Sequence, residues 1–142
     1  MFRLLGRGVT SDHQLNIVGK RLFGKSWLGV FSSDVLPNQL MKNVKPGKNY
    51  GIINVDGRNE PGSHWLSIFI DTTVENAKWH IYDSYARHSK RLIPKFIKTI
   101  GFKYIDMNTK SDQSETEESC GARSMAVLLH IKRHGIQSAT GI

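Results

Sequence analysis

Two apolar runs joined by a short polar reversal constrain this chain more than any other feature. Trp65 to Ile70 and Lys78 to Asp83 flank the polar segment Asp71 to Asn76. Apolar runs of this length around a short polar turn predict an antiparallel hairpin. In such a pair, the first residue of one strand lies opposite the last residue of its partner. His64, at the start of the first run, is therefore expected near Asp83, at the end of the second. His80 lies close to Asp83 in sequence, but strand alternation puts the two on opposite faces. Asp71 is the runner-up carboxylate, though the turn holds it at the far end of the hairpin from His64.

The remaining segments build around that hairpin. Ser11 and Gln14 have the spacing of a capping box, and Leu15, Val18 and Leu22 follow at helical intervals. An amphipathic helix is expected over 11–23, stopped by Gly24. Trp27 to Phe31, Tyr50 to Asp56 and Phe102 to Met107 read as strands. Residues 32–49, with Pro37, Pro46 and Gly47, read as loop with one helical turn. Lys90 to Ile100 reads as one basic amphipathic helix with Pro94 in its first turn. Residues 108–119 are polar, acidic and loop-like, and Cys120 to His134 is the clearest helix, capped by Gly135. The expectation is an α+β fold: a central, mostly antiparallel sheet flanked by helices, in a single domain over residues 1–142.

The chain has a single cysteine, Cys120, so an internal disulfide is excluded and a thiolate metal site is disfavoured. At a helix start, backbone N–H groups and the helix dipole favour the thiolate, which is the reactive form. His64, Asp83 and Gln113 lie upstream of it. Those residue types suit a base, an orienting carboxylate and an oxyanion donor for a cysteine nucleophile. The bland alternative is a buried structural cysteine. His13 and His88 read as solvated, and His130 and His134 as helix-end or surface residues.

Order and spacing add a resemblance. Gly62-Ser63-His64-Trp65, Trp79-His80-Ile81-Tyr82-Asp83, and Gln113 followed seven residues later by Cys120-Gly121 resemble the adenovirus-type cysteine endopeptidases. That family shares a fold core with the SUMO and ubiquitin-like-protein proteases. Trp27 to Phe31 and Tyr50 to Asp56 also look like the adenoviral enzyme, so the resemblance spans about residues 11–135. It implies a cysteine-protease fold with Cys120 as nucleophile and His64 as general base and later acid. It implies Asp83 as the carboxylate on His64, where adenoviral enzymes commonly have Glu and the SUMO-protease branch has Asp. Gln113 and the Cys120 backbone N–H would hold the oxyanion. Trp65 and Gly121 would lie on the substrate side, Gly121 permitting close approach.

The activity so implied is a viral-type endopeptidase that cleaves capsid or core precursor proteins at Gly-containing sites during virion maturation. Its expected setting is the virion and the reducing interior of an infected cell. The family is stimulated by a disulfide-linked basic peptide and by DNA. With Cys120 the only thiol, any activating peptide must bind non-covalently. DNA remains a candidate cofactor, because the formal charge is +8 and Lys90, Arg91, Lys95 and Lys98 cluster, with Lys103 shortly after. A solvated helix face is the alternative for that cluster.

No apolar run reaches membrane-spanning length, and Met1 to Arg7 lacks the core of a signal peptide, so no membrane partner is expected. Leu4-Leu5-Gly6-Arg7-Gly8 fits the family's cleavage pattern, so residues 1–10 are a candidate arm trimmed between Arg7 and Gly8. The competing functions are a deconjugating protease for a ubiquitin-like modifier, a related-fold acetyltransferase, and a non-enzymatic basic DNA-binding virion protein.

Overall fold

The computed structural model describes residues 11–33, 37–55, 64–83, 89–101, 103–107 and 120–136, with Pro37, Lys90 and Cys120 described by their backbone alone. Helix α1 (Asp12–Phe23) begins at the expected capping box: the Ser11 hydroxyl accepts from the Gln14 N–H, and the Gln14 side chain accepts from the Ser11 N–H. A short 3₁₀ turn at Gly24–Ser26 leads into β1 (Trp27–Ser32). Next come α2 (Pro37–Met41), β2 (Lys48–Asn54), β3 (Trp65–Asp71) and β4 (Trp79–Tyr82). Helices α3 (Ser89–Leu92) and α4 (Pro94–Ile100), strand β5 (Tyr104–Asp106) and helix α5 (Cys120–His134) complete the described elements.

The strands form one sheet in the order β1-β2-β3-β4-β5. The central strands β2, β3 and β4 run antiparallel, as expected, while β1 on β2 and β5 on β4 are parallel additions. Parallel neighbours need a crossover, and the helices supply it: α2 between β1 and β2, α3 with α4 between β4 and β5. The sheet is therefore mixed, within the α+β class that the sequence predicts.

Strand alternation divides the core into two layers. On one face, Trp65, Phe69 and Tyr82 pack with Leu15 and Phe23 of α1 and with Met125, Leu128 and Ile131 of α5. On the other, Leu66, Ile68, Ile70, Trp79 and Ile81 pack with Leu40 of α2 and Ile93, Phe96 and Ile97 around α4. Met125, Leu128 and Ile131 are at most 1% exposed. Burying each contributes on the order of 1.5–3 kcal/mol, so apolar area is what holds α5 on the sheet. Gly135 ends α5 at φ +86°, its N–H on the Ile131 carbonyl at 2.8 Å.

The single basic helix expected over Lys90 to Ile100 is two short helices. Pro94 has no N–H to donate and its ring crowds the preceding turn, so Ile93 leaves the helical region at φ −132°, ψ 60°. Pro94 then opens α4 as its first residue. The Ser89 hydroxyl donates to the Asp106 carboxylate, tying the start of α3 to the end of β5. No described helix is long and apolar enough to cross a membrane.

Candidate active site

The open end of the β3–β4 hairpin holds the pair that the sequence predicts. Ser67 faces Tyr82 in the register, so continuing it by one step sets Leu66 against Asp83. His64 is then the diagonal neighbour of Asp83 on the same face, a spacing that long side chains bridge. The His64 Nε2 contacts Asp83 Oδ1 directly. Both residues are buried, at 6% and 4% exposure. The His64 backbone is also fixed, because its carbonyl accepts the Val55 N–H at 2.8 Å. His80, in contrast, aligns with Phe69 and shares the face of Tyr82. Asp71 sits at the turn end, accepting from the Thr73 hydroxyl at 2.6 Å and the Thr73 N–H at 3.0 Å.

Helix α5 brings Cys120 to this end of the sheet as its first residue. One turn later, Ser124 is bonded to β3: its Oγ donates to the Trp65 carbonyl at 2.9 Å, and its own carbonyl accepts from Ser67 Oγ at 2.6 Å. The start of α5 and the residue after His64 are thus joined directly. The Cys120 side chain and Gln113 lie outside the described residues, as does the Leu4–Gly8 segment.

Trp65 is a core residue at 2% exposure, so it supports the site from within rather than lining its surface. Its indole N–H donates to Asp12 Oδ1 at 2.6 Å, and the same oxygen accepts from Asn54 Nδ2 at 3.0 Å. Gly121 is buried in the first turn of α5. Arg91, Lys95 and Lys98 are exposed, as is Lys103, while the Lys90 side chain lies outside the described residues. The His130 and His134 rings lie tilted at 46° with centroids 4.8 Å apart near the end of α5, far along the helix from Cys120.

Sequence reasoning missed the supports: Asp12, Ser67 and Ser124. Asp12 reads as an ordinary first-turn acid that suits the helix dipole. A signal did exist for Ser67, since it interrupts an otherwise apolar stretch, and a buried hydroxyl needs a partner; Ser124, next to Arg123, gave none.

Three described groups at the other end of the sheet have displaced titration: His80, Asp71 and Tyr50. Burial, aided by nearby Lys78, pushes the His80 imidazole below its ordinary value, so the ring is held neutral. The Thr73 hydroxyl holds Asp71 below the usual carboxylate range. Burial, then the Asp71 charge, pushes the Tyr50 phenol up. Described clefts of about 420 and 860 Å³ also open at that far end, one beside His80 and Asp71, the other beside Met41 and Trp79. Neither of these two clefts is lined by His64 or Asp83. Among the described residues, no group of three or more His, Cys, Asp or Glu side chains is placed to hold a metal ion.

No protein-family profile matches the chain, and no curated protein matches it in sequence. Among solved structures, it is similar to the crystal structure of the ASFV pS273R protease, with a TM-score of 0.55 and 11% identity. The alignment covers 95% of this chain and 62% of that protease, so the chain spans less than two thirds of its length. At that identity the likeness shows the fold: the chain shares its architecture with a protease.

Proposed function

We propose that the chain is a cysteine endopeptidase of viral type, with Cys120 as nucleophile, His64 as proton carrier and Asp83 as the group that orients and charges His64. The observation that carries this reading is the buried His64–Asp83 pair at the same end of the sheet as the start of α5. A buried histidine–carboxylate pair rarely contributes more stability than apolar residues of the same volume, so a role in chemistry accounts for it better than stability does. The likeness to a protease fold supports the same reading.

Asp83 engages Nε2, so Nδ1 is the ring nitrogen that would exchange a proton with the thiol. The cycle then balances simply. Nδ1 takes the proton of Cys120, and the thiolate sulfur attacks the scissile carbonyl carbon, forming the C–S bond and a tetrahedral oxyanion. The Cys120 N–H, at a helix start where backbone donors are unpaired, and the Gln113 amide would hold that oxyanion. Collapse breaks the C–N bond, and the imidazolium gives its proton to the leaving amine. Water, deprotonated by His64, then hydrolyses the thioester and restores the thiol.

The substrates proposed are capsid or core precursors cleaved at Gly-containing sites, as the resemblance of the His64, Asp83 and Cys120 segments to the adenovirus-type endopeptidases implies. The exposed Arg91, Lys95, Lys98 and Lys103 support DNA as a stimulating partner, and the absence of a second thiol makes any activating peptide a non-covalent one.

A fluorogenic Gly-X-Gly peptide tests the reading. Hydrolysis by the wild type is expected, blocked by a thiol alkylator and reduced to background in Cys120→Ala and His64→Ala. Hydrolysis that survives Cys120→Ala would exclude the thiol mechanism. DNA binding without turnover would favour a non-enzymatic role. A rate independent of salt and of added DNA would exclude DNA as an activator.

A further inference from the structure

Two serines with no role in the chemistry hold α5 against β3. Ser67 Oγ donates to the Ser124 carbonyl, and Ser124 Oγ donates to the Trp65 carbonyl, at 2.6 and 2.9 Å. Both residues are 0% exposed. The bonds run in opposite senses across one interface, so each restricts sliding of the helix along the strand. The rest of the interface is apolar: Trp65, Phe69, Met125 and Leu128. Apolar contact is non-directional and fixes how close two elements lie better than how they register. Hydrogen bonds, with a narrow range of distance and angle, fix register.

Burying a hydroxyl costs about 1–3 kcal/mol if it is left unbonded, and a bonded one returns only about 1 kcal/mol net. Alanine at either position would pack without that liability. Stability alone therefore gives little reason for two fully buried serines facing each other. Position gives a stronger one. Trp65 immediately follows His64. Ser124 is four residues after Cys120, on the same helix face and about 6 Å further along the axis. Trp65 is also held from the α1 side through its indole on Asp12. The clamp links the residue beside the base to the turn that carries the nucleophile.

We propose that Ser67 and Ser124 are positioning residues that set the placement of Cys120 relative to His64. The inference rests on the protease reading, since it deepens the account of that same site. A misplacement of about 1 Å in a reacting pair costs on the order of 10²-fold in rate, so loss of register would show in catalysis before it shows in folding.

The full-length chain tests this through a pair of variants at one position. Ser67→Thr keeps the hydroxyl; Ser67→Val has nearly the same shape without it. Each is measured, with wild type and Ser124→Ala, for the pH midpoint of Cys120 alkylation by iodoacetamide, for kcat and KM on the Gly-X-Gly peptide, and for Tm. Leu40→Ala, in the core on the opposite face of the sheet, serves as the stability control. Ser67→Val and Ser124→Ala are expected to raise the alkylation midpoint and lower kcat by roughly 10–100-fold, with KM little changed. Ser67→Thr is expected to restore both, and Leu40→Ala to lower Tm alone. If Ser124→Ala does not fold, the Thr and Val variants still decide. A Ser67→Val protein with wild-type midpoint and kcat would overturn the clamp. A wild-type thiol that is inert, or indifferent to His64→Ala, would instead overturn the protease reading and the clamp with it.

Discussion

Gly19→Ala sets two ordinary rules against each other, and the structure decides between them. Gly19 lies within α1, where alanine is the better helix former by about 1 kcal/mol. A Cβ at that position would lie 2.1 Å from Trp27 Cε2, 2.2 Å from Cζ2 and 2.5 Å from Cδ2. Carbon atoms prefer separations of about 3.5–4.0 Å, so the ring or the helix would have to retreat by about 1.5 Å. The indole is poorly placed to retreat. Its N–H donates to Asn16 Oδ1 at 2.8 Å, it stacks on Phe23 with centroids 5.7 Å apart, and it is 7% exposed. With three ring atoms at 2.5 Å or less, the cost falls in the upper part of the overpacking range, about 2–3 kcal/mol, which outweighs the propensity gain and leaves a net loss of about 1–2 kcal/mol. Equilibrium urea unfolding measures it directly, and Tm should fall by roughly 3–8 °C. In a Trp27→Leu background the ring is gone, so the same Gly19→Ala change should become neutral or stabilising. A stabilised Gly19→Ala in the presence of Trp27 would refute the reasoning, because propensity would then have won over packing.

Other consequences follow from the same structure. Asp83→Asn keeps the shape of the side chain but not the charge, so kcat/KM on the Gly-X-Gly peptide should fall by on the order of 10²–10⁴-fold with little change in Tm; wild-type turnover would show that the carboxylate is not used. Asp12→Ala strips the acceptor shared by Trp65 and Asn54 and should cost about 1–3 kcal/mol in urea unfolding, whereas an unchanged midpoint would contradict a structural role for that oxygen. His80 gives a pH dependence. Its folded-state value lies below 6.5, so the unfolded chain takes up the proton first, and stability should fall as pH drops below about 6.5. His80→Phe should flatten that fall in Tm between about pH 6.5 and 5, while an unaltered acid slope would assign it elsewhere. Asp71 acts oppositely and at lower pH: its depressed carboxylate contributes stability that is lost only in strong acid, so the two effects separate along the pH axis.

The hairpin was legible because two apolar runs and the polar turn between them are local signals, and they sufficed to bring His64 to Asp83. The capping box of α1 and the glycine stop of α5 were legible for the same reason. The parallel edges β1 and β5 were not, since nothing local in an apolar run states which neighbour it will join or in which direction. The break at Ile93 shows a proline winning over an otherwise continuous basic amphipathic pattern. The supports of the site were hidden for another reason. Asp12 and Trp65 are 53 residues apart, and Ser67 and Ser124 are 57 apart, so their bonds exist only once the sheet and α5 have assembled. Residue type and order pointed to the candidate chemistry; long-range packing determines what holds it in register.

The claim that Cys120 is paired with a His64 held by Asp83 is tested most directly by the pH dependence of thiol alkylation. A free cysteine titrates near 8.5, and an imidazolium partner lowers that value. The account predicts a wild-type midpoint well below about 8.5 that rises toward it in His64→Ala. A thiol that does not react while the protein is folded, or one whose midpoint is the same with and without His64, would contradict it.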